Sequence, residues 1–505
     1  MGTISANEIA GLTSLNFADT TKGPGTTALA MTQNVVTGVS ASLTTADSVQ
    51  KAMAQVNSSS LGAFAALPSS FSPALGGMAS AVTQGPVTAA AGTSGLTSAD
   101  LQAGAQIMSD AGTKALSSSF SSTDPATLST LMGNMSAGFV KAIPSCLNFT
   151  SSDQQKFIEG STKAAIGALS GATTLTPAQM TNITTNFDSS TVTAIGNTFA
   201  LDKVGALASS LNLGQTSAVS GFAANMQSAI IDGSKGMGPA LTSVPNMDAA
   251  TLQAAINLNN GAAVTGLGKS TMAPTAYGPL LTQISTDAVT NLKGLSLNGV
   301  ALSDAQITNF AQTALQIVTE KLATIPNATA NMVSTMAGCI AAGGTAGVAN
   351  SGVAAGNVQA LLNAVATGPT AGLNLLGTTI TGMDDTHKNS FIANYNVSLA
   401  AALPFAGIST VNLGTVAAAV ATAVSSSVAS AGFSANTQFD SANLIKKFAD
   451  GVNAAGGTVN VNQLTTGINS GFTNAGVNLP TVTPPNFTPT VQTGAPGINP
   501  SLSLS

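Results

Sequence analysis

The chain has 505 residues, of which 44% are hydrophobic and only 7% charged, with a net charge of −5. The apolar content suffices for a core and excludes disorder throughout, while the charge lies far below the roughly 25% of ordinary soluble domains. All 14 basic residues are lysine, too few for phosphate neutralisation, so nucleic acid is excluded as a partner. The surface must then be built from Ser, Thr, Asn, Gln and backbone, which leaves it poorly defended against association.

Residues 1–40 are polar and turn-rich, with "KGPGTT" at Lys22, and read as an extended arm. Residues 1–20 show no basic segment followed by an apolar run, as a secretory signal would, and "MGTISA" is not a full myristoylation start, because Ala6 stands where Ser or Thr is needed. From residue 41 to 478 the chain reads as short helices. "LTTADS" places Thr44 as a helix cap with Asp47 three residues on, and "LTSADL" places Thr97 with Asp100. In such a capping box the cap side chain takes the N3 amide and the N3 side chain returns to the cap amide. The helix after Thr97 puts Leu101, Ile107, Met108, Ala111 and Leu116 on one face.

"LTPAQMTN" and "LSDAQITN" write the strongest boxes, Thr176 with Gln179 and Ser303 with Gln306. Pro177 fits the first helical position, and Leu175 and Leu302 can staple onto Met180 and Ile307. The leading leucines fall at 43, 96, 175 and 302, with gaps of 53, 79 and 127 residues, close to two, three and five units of about 26. Fixed self-similarity of this size marks a repeat array. Fainter starts stand at Ser122, Phe149, Leu201, Met247, Met383, Phe439 and Val461, and the register drifts between Leu201 and Met247. A unit of 26 fits one helix with a loop, or two short helices; "NFDSSTV" favours two, with Asp188 recapping after Phe187. The helix after Ser303 puts Ile307, Phe310, Ala314, Leu315 and Val318 on one face.

Neither stretch 322–383 nor 389–439 carries a charge, and either could span a membrane by length. Their Ala, Gly, Asn, Ser and Gln residues, with few Leu, Ile or Phe, argue instead for tightly packed helices. From Leu479 six prolines, at 480, 484, 485, 489, 496 and 500, mark residues 479–505 as an extended tail.

The expected fold is therefore all-α, an α-solenoid-like array of degenerate repeats with extended arms at both ends. Because Thr, Val, Ser and Gly form helices poorly, a β-rich repeat protein is the alternative.

No residue is assigned to catalysis, to a cofactor or to a metal. "GAAVTGLGKST" ends like a phosphate loop at Gly268, Lys269 and Ser270, but Ala263 replaces its first glycine and no strand precedes it. Asp384, Asp385 and His387 could hold a metal, yet carboxylates at a helix start usually complement its dipole. Cys146 and Cys339 could form one disulfide or lie buried as thiols. Sequons stand at Asn57, Asn134, Asn148, Asn182, Asn327, Asn396 and Asn486, so glycan attachment is possible. The expected function is structural: a non-enzymatic, extracellular or cell-surface subunit that associates with copies of itself into a filament, sheath or surface layer. The alternative is a secreted adhesin or coat protein holding carbohydrate or protein on a solenoid face. Only Tyr277 and Tyr395 could supply tyrosine anchors for it.

Overall fold

The computed structural model describes residues 2–14, 21–43, 45–273, 276–433 and 441–475. It is all-α, and among the described residues the strands are two residues each, Ser296–Leu297 paired with Val300–Ala301. The β-rich alternative therefore fails. The chain divides into two compact units, Met1–Ala255 and Ile256–Ser505.

The first unit contains α1 (Gly2–Gly11), α2 (Gly23–Ser40), α3 (Ala46–Gly62), α4 (Leu75–Ala91), α5 (Ser98–Phe120), α6 (Pro125–Ala142), α7 (Ser151–Ala168), α8 (Pro177–Thr198) and α9 (Leu201–Ser217). Then come α10 (Ala224–Asp232) and α11 (Met237–Thr242), joined by a 3-10 turn. A further helix, α12 (Ala249–Lys269), carries the boundary. The second unit continues with α13 (Tyr277–Thr290), α14 (Asp304–Glu320), α15 (Ala330–Val348), α16 (Val358–Thr379), α17 (Asp385–Ala402), α18 (Leu413–Ser427), α19 (Ser441–Ala454) and α20 (Val461–Asn474).

Each helix packs chiefly on the second one along. In the first unit α1, α3, α5, α7 and α9 stack in one layer, and α2, α4, α6 and α8 in the other. In the second unit α13, α15, α17 and α19 form one layer and α14, α16, α18 and α20 the other. Partners run parallel. Gln50 and Asn57 of α3 bond residues 50 and 51 positions on, and Gln102 and Ser109 of α5 bond residues 51 and 52 positions on. A near-constant offset along two helices is possible only if they point the same way. The unit of about 26 residues is thus one helix with its loop, and the stacking unit is a two-helix hairpin of twice that length.

The loops explain the repeated phrase. Boxes form at Thr97/Asp100, Thr150/Asp153, Thr176/Gln179 and Ser303/Gln306. Before several caps the chain writes a left-handed residue, then an apolar one, then the cap: Gly95-Leu96-Thr97, Asn246-Met247-Asp248, Asn327-Ala328-Thr329 and Gly382-Met383-Asp384. Positive φ closes the turn, and Gly or Asn adopts it at least cost. Ser303→Ala should cost about 1 kcal/mol, read as a lower denaturation midpoint; an unchanged midpoint would deny the cap its role.

Three expectations give way. The described part of residues 1–40 is not an extended arm: Gly2–Gly11 is helical, Pro24 sits in the first turn of α2, where its missing N–H costs nothing, and α2 stacks on α4. Asp188 does not recap a second helix: α8 runs through it unbroken, and its side chain is fully buried. The cap of α3 is Thr45, whose hydroxyl accepts from the Ser48 amide, while Asp47 pairs with Lys51 at 2.7 Å; Thr44, like the tail 479–505, lies outside the described residues. The drift between Leu201 and Met247 is the broken pair α10 and α11, which together occupy one helix's place on α8. Ile307, Phe310, Ala314, Leu315 and Val318 of α14 are all buried, whereas Ile107 of α5 is 39% exposed and Gly104 and Gly112 hold the buried face.

Glycine sets the distance between stacked helices. Gly138 of α6 lies on Ser80 and Thr83 of α4, Gly214 of α9 on Glu159 and Thr162 of α7, and Gly343 of α15 on Thr282 and Ser285 of α13. Gly372 of α16 lies on Gln316 and Thr319 of α14, Gly451 of α19 on Val397 and Ala400 of α17, and Gly471 of α20 on Thr422 and Ser425 of α18. In every case a Cβ on the glycine would press one backbone carbonyl oxygen and the Cβ of the residue three further on; for Gly471 these lie at 2.5 and 2.6 Å.

Candidate functional site

Sequence candidates for chemistry resolve into helix ends. Gly268 and Lys269 close the C-terminal end of α12, and Ser270 follows it. A phosphate loop needs the backbone N–H groups at a helix start; this end presents carbonyls, and Ala263 is buried within the helix. Asp384 caps α17: its Oδ1 accepts from the His387 amide at 3.0 Å and meets the ring Nδ1 at 2.7 Å. The His387 bonds, backbone first, hold the Asp384 carboxyl below its usual range. Lys388, buried behind the cap, donates to the Gly432 carbonyl and lies 5.4 Å above the Phe433 ring. It stands 3.8 Å from Asp385. The "MDDTHK" cluster therefore fastens the start of α17 to the segment after α18. Among the described residues no three His, Cys, Asp or Glu side chains gather as a metal set.

Cys146 and Cys339 are free, buried thiols. Burial pushes Cys146 up to about 12, and burial raises Cys339 with slight relief from Thr282. Because the thiolate is the reacting form, neither cysteine should react with a disulfide reagent at pH 8 until the chain is unfolded. Rapid labelling of the folded protein would contradict this burial. Tyr277 and Tyr395 are also buried, and the Tyr395 hydroxyl donates to the Val365 carbonyl at 2.6 Å. Neither tyrosine can anchor a ligand at the surface.

A shallow groove of about 440 Å³ lies at the C-terminal ends of α5 and α7, lined by Asp110, Lys114, Ser117, Ser118, Ser121 and Ser170 among others. Its chemistry is spent internally. Asp110 and Lys114 pair at 2.8 Å. Ser117, Ser118 and Ser170 donate to the carbonyls of Lys114, Ala115 and Gly167. Its lining holds no histidine, and its one carboxylate, Asp110, is engaged by Lys114 rather than by a serine.

The feature that sequence reading missed is the core pair of Asp188 on α8 and Gln215 on α9. Both are fully buried, and their side-chain polar atoms make no well-formed hydrogen bond. Desolvation drives the Asp188 carboxyl well above its ordinary range, and the nearby Gln215 amide opposes only part of that. No signal in one sequence separates a buried mid-helix Asp from a capping one.

Two charge-free stretches leave a mostly uncharged surface on the second unit. The stretches 322–383 and 389–439 form α15, α16, most of α17 and α18. Their half-buried positions include Thr335, Ala342 and Ala346 on α15, Thr367 and Ala371 on α16, Asn394 on α17, and Ala419 and Ala423 on α18; Ala360, Asn374, Leu375, Ser390 and Thr415 are exposed. Surface hydroxyls turn inward: Thr335 donates to Asn331, Ser390 to Thr386, and Thr378 and Thr379 to Leu375. Among the described residues no helix is long and apolar enough to cross a membrane. No protein-family model matches the chain, and no curated protein is similar to it.

Proposed function

We propose that this chain is a structural protein, a subunit that associates with copies of itself into an extracellular filament, sheath or surface layer. The observation that carries the reading is the outer surface of α15, α16, α18 and α17 beyond its first turn, which bears no charge, where mostly small residues, with Leu375, reach solvent and hydroxyls already bond their own helices. Such a face loses little on leaving water, because few polar groups there give up solvent partners without replacement. Beyond the first turn of α17 it also carries no like charges to repel a second copy. Small side chains let helices approach closely, as the glycine contacts do within each layer. Elsewhere some of the charges are neutralised in pairs, Asp47 with Lys51, Asp110 with Lys114, and Asp232 with Lys235. A head-to-tail contact that does not close on itself would generate fibres.

The test is negative-stain electron microscopy with size-exclusion chromatography at micromolar concentration, in low and high salt. Ordered fibres or sheets that persist in high salt are expected, because contacts between uncharged faces are not screened. A monomer in both conditions would overturn the proposal.

A further inference from the structure

The seven sequons are not equivalent in the fold. Asn148 and Asn327 are exposed in loops, each two residues before the Thr that caps the next helix, and Asn182 is exposed on α8. Asn57 and Asn396 are fully buried. The Asn57 amide donates to the Met108 carbonyl at 3.2 Å, and its oxygen accepts from Thr83 at 3.2 Å. Asn57 Nδ2 also lies only 2.6 Å from where a Cβ on Gly112 would stand. The Asn396 amide donates to the Ile392 carbonyl at 2.6 Å.

N-linked transfer forms a bond from Asn Nδ2 to the anomeric carbon of a lipid-linked oligosaccharide. The anomeric C–O bond breaks, the lipid pyrophosphate leaves, and the amide gives up one proton. The transfer acts on the unfolded chain, so native burial gives no protection. A sugar on Asn57 would have to enter the close contact of α3 with α5, and one on Asn396 the core beside α17. Neither site has room, since interiors hold few voids larger than a water molecule, and the sugar's hydroxyls would lie buried without partners.

We infer that this chain reaches its folded state without passing, unfolded, through N-glycosylation machinery, and that the working protein carries Asn57 and Asn396 bare. This goes beyond the assembly reading and does not depend on it: an extracellular destination is then reached by a route that does not glycosylate the nascent chain.

The experiment directs the full chain, behind a foreign signal peptide, into the secretory pathway of cultured eukaryotic cells, and maps glycans by peptide mass spectrometry. The comparison is a double variant, Ser59→Ala with Ser398→Ala, which removes both sequons and keeps both asparagines. Wild type should be retained with sugar on Asn57 or Asn396, and the double variant should be secreted severalfold better. Secretion of folded wild type, with these asparagines either occupied or bare, would overturn the inference. Equal retention of both chains would overturn it too, provided the double variant made in a bacterial cytosol shows the same helical signal as wild type. The block would then lie elsewhere than at these two asparagines.

Discussion

Gly343→Val should lower the stability of the second unit by about 2–3 kcal/mol. The added Cβ would overlap the Thr282 carbonyl oxygen and stand 2.9 Å from the Ser285 Cβ. Backbone is the obstacle, so rotating a side chain cannot relieve it. Nor can α15 retreat freely toward the other layer, since a Cβ at neighbouring Gly344 would already stand 3.0 Å from Leu315 and from Val365. The whole of α13 would have to move off α15. Gly38→Ala is the contrast. Gly38 lies on α2 with nothing near its missing Cβ, so alanine should raise stability by about 0.5–1 kcal/mol through helix propensity alone. Denaturant midpoints separate the two cases. If both substitutions move the midpoint in the same direction, glycine does not set the helix spacing.

Those glycines mark the border of what the sequence discloses. The capping phrase is local chemistry: Thr176, Pro177 and Gln179 lie within four residues of one another and state a helix start without reference to anything distant. For that reason the all-α class, the period of about 26 and the face of α14 from Ile307 to Val318 were legible. Pairing is not local. A cap marks only a helix start and does not say that α5 stacks on α3 and α7 more than on α4 and α6. The signal for pairing lies in Gly138 facing Ser80 and Thr83, or Gly471 facing Thr422 and Ser425. These residues are 46 to 58 positions apart, and Gly and Ser are too common here for such spacing to stand out. The two consecutive threonines 44 and 45 offered the same cap twice, and only the burial of Val49 and Met53 orients α3 so that Thr45 fills the role. The segment from Lys22 to Thr27 misled in the opposite direction, because Gly-Pro-Gly opens a turn or a helix according to whether a partner waits to bury the residues after it. Here α4 does, covering Ala28, Thr32 and Val36.

As for function, caps dispose of the conspicuous polar residues, Asp384 and His387 above all, so the candidate surface is defined by the long charge-free stretches. Those were plain in the sequence. Their position on consecutive helices that reach solvent in both layers of the second unit was not, because outward and inward positions of an Ala- and Thr-rich helix look alike.

Asp188→Asn should stabilise the first unit, and the gain should depend on pH. Folded Asp188 keeps its proton far above the ordinary carboxylate range because desolvation penalises the charged form. In the unfolded chain the same group ionises near pH 4. Below that pH both states hold the proton, and the residue contributes no pH dependence. As the pH rises, the unfolded chain loses its proton while the folded chain retains it. The folded state then binds more protons, so stability falls with pH, by up to about 1.4 kcal/mol per unit, until the folded group also ionises. Asparagine carries no such proton. Its amide can also exchange hydrogen bonds with the Gln215 amide, whose polar atoms now make none. Wild type and variant should therefore differ least near pH 4 and diverge progressively toward neutrality, with the variant higher. Denaturation midpoints across pH 4 to 8 test this directly. Parallel profiles would show that Asp188 ionises in the folded protein and that solvent reaches the α8–α9 contact. A divergence would mean that the first unit buries a neutral carboxylic acid and loosens as the solution becomes more alkaline.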